Sequence, residues 1–134
     1  MNILVMGAGQ LARMMALAGA PLNLKVTAYD VNSDKIVDPV SNQVFALDLA
    51  SAVAQADVVT SEFEHIPYPV QEVCQQSGKF FPNSTAIKAG GDRRQEKQLL
   101  DAAGVANAGY RIITNESEFY AAISALGLPL VLKS

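Results

Sequence analysis

The sequence predicts an α/β fold in which a parallel β-sheet carries helices on both faces. Strand-like and helix-like segments alternate through residues 1–82, a length typical of one such domain. The first apolar run, residues 3–6, has no polar interruption, as expected of a strand that is buried on both faces. Of the 134 residues, 50% are hydrophobic and 17% are charged, a composition too apolar for a disordered chain.

The predicted elements follow one another in the order that this fold requires. A helix is predicted over residues 10–18, because its apolar side chains recur at helical spacing and Gly19 follows it. Residues 24–29 alternate between polar and apolar side chains, which indicates a second strand ending at Asp30. The other strands are predicted at residues 43–46, 58–60 and 79–81, and the other helices at residues 49–56 and 68–76.

The pattern changes near Asn83, and we expect two domains, residues 1–90 and an incomplete second domain at residues 91–134. Gly90 and Gly91 should interrupt the helix that begins after Asn83. Further helices are predicted after the capping residues Asp92 and Asn115, and strands at residues 110–113 and 130–132. The last strand would leave an unpaired edge, so we expect the chain to be the N-terminal part of a longer protein.

Composition and charge exclude several classes of function. Acidic residues outnumber basic residues by 13 to 10, and the resulting net charge of −3 disfavours binding to nucleic acid. No apolar run approaches the roughly 20 residues of a membrane-spanning helix, and the N-terminus lacks the pattern of a signal peptide. The only cysteine, Cys74, can form no internal disulfide, so we expect a cytoplasmic protein. We also expect Cys74, Met14 and Met15 to lie in its core, because they are apolar side chains.

The first candidate site is the turn at residues 7–12, which reads G-A-G-Q-L-A and fits the pattern G-x-G-x-x-A. Glycine allows the backbone to turn sharply and to approach a ligand, and the free N–H groups of the following helix attract an anion. Asp30 ends the second strand, where a dinucleotide-binding fold places its ribose-binding carboxylate. The alternative is a turn whose glycines serve packing only.

The second candidate site is residues 62–67, E-F-E-H-I-P, directly after the fourth strand. If this segment is extended, Glu62 and Glu64 point the same way, and a carboxylate there can accept hydrogen bonds from neighbouring sugar hydroxyls. A solvated acidic loop is the alternative. His65 is the only histidine, so the sequence predicts no histidine-pair metal site.

The third candidate site is the charged segment at residues 92–97, D-R-R-Q-E-K, in which Arg93 and Lys97 share one face of the predicted helix. Lys133 follows the last predicted strand. Spacing alone favours a plain interpretation of both features, namely a charged surface helix and a lysine at the end of a strand.

The order of four motifs is more specific than any one of them. The succession G-A-G-Q-L-A-R-M, T-S-E-F-E-H-I-P, D-R-R-Q-E-K-Q and L-V-L-K resembles the ATP-grasp superfamily, and within it the N5-carboxyaminoimidazole ribonucleotide synthetase family. The resemblance implies a Rossmann-like pre-ATP-grasp domain followed by the start of an ATP-grasp lid domain. It also implies a homodimeric ligase that uses ATP to carboxylate 5-aminoimidazole ribonucleotide with bicarbonate in purine synthesis.

The resemblance further implies roles for individual residues. The implied binding residues are Gly9, Gln10, Leu11 and Glu64 for the ribonucleotide, and Arg93 and Lys133 for ATP. Lys97 fits the motif, but a structural role is expected for it. The family usually has glycine where this chain has Ala12, which is still small enough for close packing of helix on strand. The phosphate loop and the ligands of Mg²⁺ are expected beyond residue 134, so the isolated chain should be inactive.

Other functions are alternatives to this ligase. A formate-dependent glycinamide ribonucleotide enzyme belongs to the same superfamily, but tends to carry glutamate where this chain has Gln10. The NAD(P)-binding domain of an oxidoreductase would account for the glycine turn and Asp30, but leaves residues 62–67 without a role. A nucleotide-binding or dimerising module without catalysis is the third alternative.

Overall fold

A computed structural model describes residues 1–133 of the chain. The chain divides into two compact units, Met1–Gly91 and Asp92–Ser134. The first unit contains a β-sheet with its helices, and the second contains helices joined by irregular segments.

The first unit is built on a five-stranded sheet in the order β4-β3-β2-β1-β5. The strands are β1 (Asn2–Met6), β2 (Lys25–Asp30), β3 (Lys35–Val37), β4 (Val44–Phe45) and β5 (Val58–Ser61). The central strand β1 is parallel to both β2 and β5, whereas β3 and β4 add to the edge in antiparallel pairs. The predicted α/β fold is therefore confirmed, with an antiparallel extension that the sequence analysis did not anticipate.

The antiparallel edge follows from the short connection between β2 and β3. Residues 31–34 alone join these strands, and a parallel pairing needs a crossover of a dozen or more residues. Asp34 takes a left-handed conformation with φ of 54°, which helps the chain to reverse. β3 was not predicted, because its three residues are too few to show a periodic pattern.

Helices cover both faces of the sheet, as predicted. In the first unit they are α1 (Gln10–Gly19), α2 (Leu49–Gln55), α3 (Tyr68–Gln76) and α4 (Ser84–Gly91), with a 3₁₀ turn at Ala20–Leu22. The predicted strand at residues 79–81 is wrong in extent, because only one parallel bridge forms, between Val59 and Phe80. Pro82 follows directly and has no N–H group with which to extend the pairing.

The core consists of two layers, one on each side of the sheet. Leu4 and Met6 of β1 face a cluster that includes Cys74, while Val5 faces the opposite cluster with Ala12. This alternation is what a strand buried on both faces produces. Cys74 is fully buried, as predicted, and desolvation raises the pKa of its thiol to about 11.

The prediction that Met14 and Met15 belong to the core is wrong. Their side chains are 55% and 38% exposed. Helix α1 instead buries the small residues Ala12 and Gly19, and Gly19 lies against Leu24 and Val26. A helix that approaches a sheet through small residues has no room for methionines on that face, so they lie on its other sides.

Lys79 stabilises the C-terminal end of α2. Its ammonium group donates to the backbone oxygens of Ala56 at 2.7 Å, Ala54 at 3.0 Å and Val53 at 3.4 Å. These carbonyls lie at the negative end of the helix dipole, so a cation is favourable there.

We therefore expect Lys79→Met to lower the free energy of unfolding by about 1–2 kcal/mol, because the methionine keeps the apolar stem and loses the charged donor. Urea unfolding of the purified protein measures this loss. Lys35→Met is the matched control, since Lys35 is exposed on a strand. This substitution should lower the free energy of unfolding by less than half as much. Equal losses in the two variants would contradict the assigned role of Lys79.

The second unit contains α5 (Arg93–Ala102) and α6 (Glu116–Leu126). Both predicted caps are present, since Asp92 accepts a hydrogen bond from the Arg94 N–H and Asn115 accepts one from the Glu118 N–H. The predicted strands at residues 110–113 and 130–132 are wrong, because no regular structure forms there within residues 1–133. A strand needs a hydrogen-bonded neighbour, and neither segment has one among these residues.

Over residues 1–133, no helix has the length and apolar character needed to cross a membrane.

Candidate functional site

Two of the predicted site segments meet at one edge of the sheet. The glycine turn, defined as Gly7 to Gly9, follows β1, and the acidic segment, defined as residues 62–67, follows β5. Because β1 and β5 are adjacent and parallel, with Met6 opposite Ser61, both segments leave the sheet side by side. Ligands of parallel α/β sheets bind at this carboxyl edge of the strands.

Gly7 is the residue that allows the close contact between the two segments. Its φ of +111° lies in a region that residues with an L side chain rarely adopt. Its N–H donates to the backbone oxygen of Tyr29 at 2.9 Å. A Cβ atom at this position would lie 2.4 Å from Cγ of Glu62 and 2.6 Å from Cε1 of Phe63. Glycine is therefore required here for conformation and for space.

Glu62 binds the first turn of helix α1. Its Oε1 atom accepts a hydrogen bond from the Gly9 N–H at 2.8 Å, and its Oε2 atom accepts one from the Ala12 N–H at 2.7 Å. Gly9 occupies the capping position of α1 but has no side chain with which to cap it. A carboxylate from the neighbouring strand end thus satisfies two of the free N–H groups at the positive end of the helix.

The role of Glu62 was missed by the sequence analysis, which treated it only as one of two neighbouring carboxylates. One signal could have revealed it. A helix preceded by Gly9 lacks a side-chain cap, and the first acidic residue after the adjacent strand is the nearest available acceptor.

Glu64 has different neighbours from Glu62, because it lies near the end of helix α4 and not at the start of α1. The chain bends over residues 62–64, and the Ile66 N–H donates to the backbone oxygen of Glu64 at 2.9 Å. The condition for a shared direction of the two carboxylates, an extended segment, is therefore not met. The side chain of Glu64 is exposed, and within residues 1–133 its carboxylate accepts no hydrogen bond, which leaves it available to a ligand.

The end of helix α4 packs against Glu64. A Cβ atom at Gly90 would lie 3.0 Å from Cγ of Glu64, and one at Gly91 would lie 3.3 Å from its backbone oxygen. The sequence analysis predicted that Gly90 and Gly91 interrupt a helix, but both lie within α4. Their absent side chains let the helix approach the acidic segment closely.

A buried amide anchors the other end of the acidic segment. Gln71 is 6% exposed, and its Nε2 atom donates to the Ile66 oxygen at 2.7 Å. Ile66 is itself buried in the core, and helix α3 begins two residues later at Tyr68. The segment that carries Glu64 is thus held at both ends, by Glu62 and by Gln71.

The predicted ribonucleotide residues lie at this edge. Gly9 and Gln10 are exposed, and Leu11 is 51% exposed. Asp30 makes local hydrogen bonds, in which its two oxygens accept from the Asn32 N–H at 3.0 Å and the Ser33 hydroxyl at 2.6 Å. The Ser33 hydrogen bond, with those from the backbone, lowers the pKa of Asp30.

The predicted ATP residues belong to the second unit. The Arg93 guanidinium pairs with Glu96, one turn along α5, and Lys133 is exposed. Lys97 donates to the Asn107 side chain at 2.7 Å and lies 5.4 Å from the centre of the Tyr110 ring. These contacts give Lys97 a structural function. Within residues 1–133, no group of three acidic, cysteine or histidine side chains is arranged to hold a metal ion.

Comparisons with known proteins show the family of this chain. Residues 1–90 match a family model described as the ribonucleotide synthetase preATP-grasp domain. The N5-carboxyaminoimidazole ribonucleotide synthase of Vibrio cholerae is 56% identical over 134 residues, which cover 100% of this chain and 36% of that protein.

Solved structures show the same likeness. The ADP complex of an N5-carboxyaminoimidazole ribonucleotide synthetase is similar, with a TM-score of 0.74 and 29% identity, over 96% of this chain and 36% of that chain. The Aspergillus clavatus enzyme in complex with ADP and 5-aminoimidazole ribonucleotide has a TM-score of 0.70 and 26% identity over the same shares. The chain thus spans 36% of the length of these relatives.

Proposed function

Because the chain belongs to the ribonucleotide synthetase preATP-grasp domain family, we propose that it forms the ribonucleotide-binding part of an ATP-dependent ligase. The proposed reaction joins bicarbonate to the amine of 5-aminoimidazole ribonucleotide and gives N5-carboxyaminoimidazole ribonucleotide. This step belongs to purine synthesis, and the reduced cytoplasm is the proposed location, in keeping with the single free thiol of Cys74.

The observation that carries this proposal is the position of the Glu62 carboxylate. A dinucleotide-binding domain places the pyrophosphate of its cofactor at the N-terminus of the first helix. In this chain the N–H groups of Gly9 and Ala12 are already bound to Glu62. A phosphate about 4 Å from that carboxylate would be repelled by ~4 kcal/mol per pair of unit charges near a protein surface. The glycine turn therefore favours an uncharged part of a ligand, such as a sugar or a base.

The exposed Glu64 carboxylate complements such a ligand. Its two oxygens can accept hydrogen bonds from two neighbouring hydroxyls, which is the arrangement that a ribose presents. Gly9, Gln10 and Leu11 lie at the same edge of the sheet and would line the rest of the pocket. We assign no catalytic residue to this part of the enzyme, because its role is to bind and orient the ribonucleotide.

The second unit would contribute to the ATP site. Arg93 and Lys133 would bind the phosphates of ATP, and Mg²⁺ would be held by carboxylates outside this chain. Residues 91–134 would then be the linker helix and the beginning of the ATP-grasp domain. The remainder of the longer enzyme would supply the phosphate loop and the contacts that form the homodimer.

The test is a coupled assay on the full-length protein that carries this chain. We expect it to release ADP only when 5-aminoimidazole ribonucleotide, bicarbonate and ATP are all present, and we expect the isolated 134-residue chain to turn over no ATP. Glycinamide ribonucleotide with formate is the control pair of substrates, and should give no turnover. Turnover with that pair and none with 5-aminoimidazole ribonucleotide would contradict the proposal.

A further inference from the structure

We propose that Glu62 is a positioning residue, which holds the glycine turn and the Glu64 side chain in a fixed relation so that both can contact one ribonucleotide. This inference rests on the proposed function. Glu62 itself would not touch the substrate, because both of its oxygens are bound to backbone N–H groups of the first turn of α1.

Hydrogen bonding gives the first argument. The two bonds span 53 and 50 residues of sequence, at 2.8 and 2.7 Å, and join the end of β5 to the start of α1. They satisfy N–H groups that the helix cannot pair internally and that Gly9 cannot cap. A carboxylate at the positive end of a helix is also favoured by the dipole. Together with the backbone hydrogen bond from the Glu62 N–H to the Met6 backbone oxygen at 3.1 Å, this side chain holds the glycine turn in place relative to the end of β5.

Packing gives the second argument. The stem of Glu62 lies where a side chain at Gly7 would otherwise be, and its Oε1 atom lies 2.8 Å from the position of a Cβ atom at Gly9. Both glycines thus leave space that Glu62 occupies. The shape of the glycine turn and the path of the Glu62 side chain depend on each other.

The position of Glu62 in the chain gives the third argument. The Gly9 N–H donates a hydrogen bond to the Glu62 carboxylate. Glu64 follows Glu62 by two residues, in a segment that Gln71 anchors at Ile66. A displacement of Glu62 would move the glycine turn relative to Glu64. The distance between two groups that bind the same substrate would then vary, which weakens binding even though neither group has been removed.

The chemistry of this contact requires a carboxylate. The two N–H donors contact different oxygens of the carboxylate, whereas glutamine offers one acceptor oxygen and one NH₂ group. In Glu62→Gln the NH₂ group would face the N–H of either Gly9 or Ala12, so one of the two bonds is lost while the shape is kept. In Glu62→Ala both acceptors are lost, and a small carboxylate such as formate could occupy the vacated place.

The experiment uses the full-length protein and three variants, Glu62→Gln, Glu62→Ala and the control Glu72→Gln, which alters an exposed glutamate on α3. We expect Glu62→Gln to raise KM for 5-aminoimidazole ribonucleotide about tenfold, the equivalent of one lost hydrogen bond, and to leave KM for ATP unchanged. Formate should restore the KM of Glu62→Ala in a saturable manner. Glu72→Gln should change neither constant and should not respond to formate.

A second readout needs no substrate. Amide hydrogen exchange at Gly9 and Ala12 should be faster in Glu62→Gln than in the wild-type protein and unchanged in Glu72→Gln. If the exchange rates do not change, or if the two KM values rise together in proportion to a loss of Tm, the positioning role is refuted. If the wild-type protein does not use 5-aminoimidazole ribonucleotide but the exchange rates do change, the proposed function fails while the link made by Glu62 stands. Should Glu62→Ala not fold, Glu62→Gln decides the matter alone.

Discussion

Gly7→Ala is expected to destabilise the protein by about 3 kcal/mol and to raise KM for the ribonucleotide. The added Cβ atom would lie 2.4 Å from Cγ of Glu62 and 2.6 Å from Cε1 of Phe63. The backbone would also have to keep a φ of +111° with a side chain attached. Either the glycine turn or the acidic segment must move, and each carries groups that we propose bind the ribonucleotide.

Gly78→Ala is the matched control for this experiment. Gly78 also has a positive φ, of +69°, but no atom lies within 4 Å of the position of its Cβ. Gly78→Ala should therefore lower the free energy of unfolding by the conformational penalty alone, about 1 kcal/mol, and should leave KM for the ribonucleotide unchanged. Urea unfolding and steady-state kinetics of both variants separate the two contributions. If Gly7→Ala costs no more than Gly78→Ala, the close contact around Gly7 has been misjudged.

Glu64→Ala is expected to raise KM for 5-aminoimidazole ribonucleotide by about 100-fold and to leave KM for ATP within a factor of two. Hydrogen bonds to a charged group contribute about 1.5–3 kcal/mol each, and 1.4 kcal/mol corresponds to a factor of ten. Stability should change little, because the Glu64 side chain is exposed and makes no hydrogen bond within residues 1–133.

The control for Glu64→Ala is Glu72→Ala, which removes an exposed carboxylate of the same kind from α3. It should alter neither KM value. Initial rates at varied concentrations of each substrate give both constants. An unchanged KM for the ribonucleotide in Glu64→Ala would mean that the sugar is bound elsewhere.

The parallel centre of the fold was predictable because its signals are local. The apolar run of β1, the helical spacing of α1 and the alternation of β2 each require only a few neighbouring residues to be recognised. The family was also predictable from the order of its motifs, and it is confirmed. The short strand β3 was not predicted, and β4 was predicted too long, because two or three residues show no periodicity.

Other errors came from properties that depend on tertiary contacts. Residues 110–113 and 130–132 have strand-like composition, but a strand is defined by a partner that composition does not specify. Met14 and Met15 are apolar, yet α1 meets the sheet through Ala12 and Gly19 instead. Composition identifies residues that can be buried, whereas the distance between helix and sheet decides which of them are.

The candidate site shows the same division. The glycine turn and the acidic segment were predicted from their positions after two strands, and the structure brings them together because those strands are adjacent. The different contacts of Glu62 and Glu64 could not be predicted, since they follow from a bend at residues 62–64 and from an uncapped helix 50 residues away in sequence. The assigned roles in binding stay predictions, for the ribonucleotide those of Gly9, Gln10, Leu11 and Glu64, and for ATP those of Arg93 and Lys133.

Calorimetric titration of the full-length protein with 5-aminoimidazole ribonucleotide, and separately with NADH, tests the central claim most directly. That claim is that a carboxylate-bound glycine turn receives the sugar of a ribonucleotide and repels the pyrophosphate of a dinucleotide. We predict saturable heat with the ribonucleotide, none with NADH, and a loss of the ribonucleotide signal in Glu64→Ala. Saturable binding of NADH, with no heat from 5-aminoimidazole ribonucleotide, would contradict the claim.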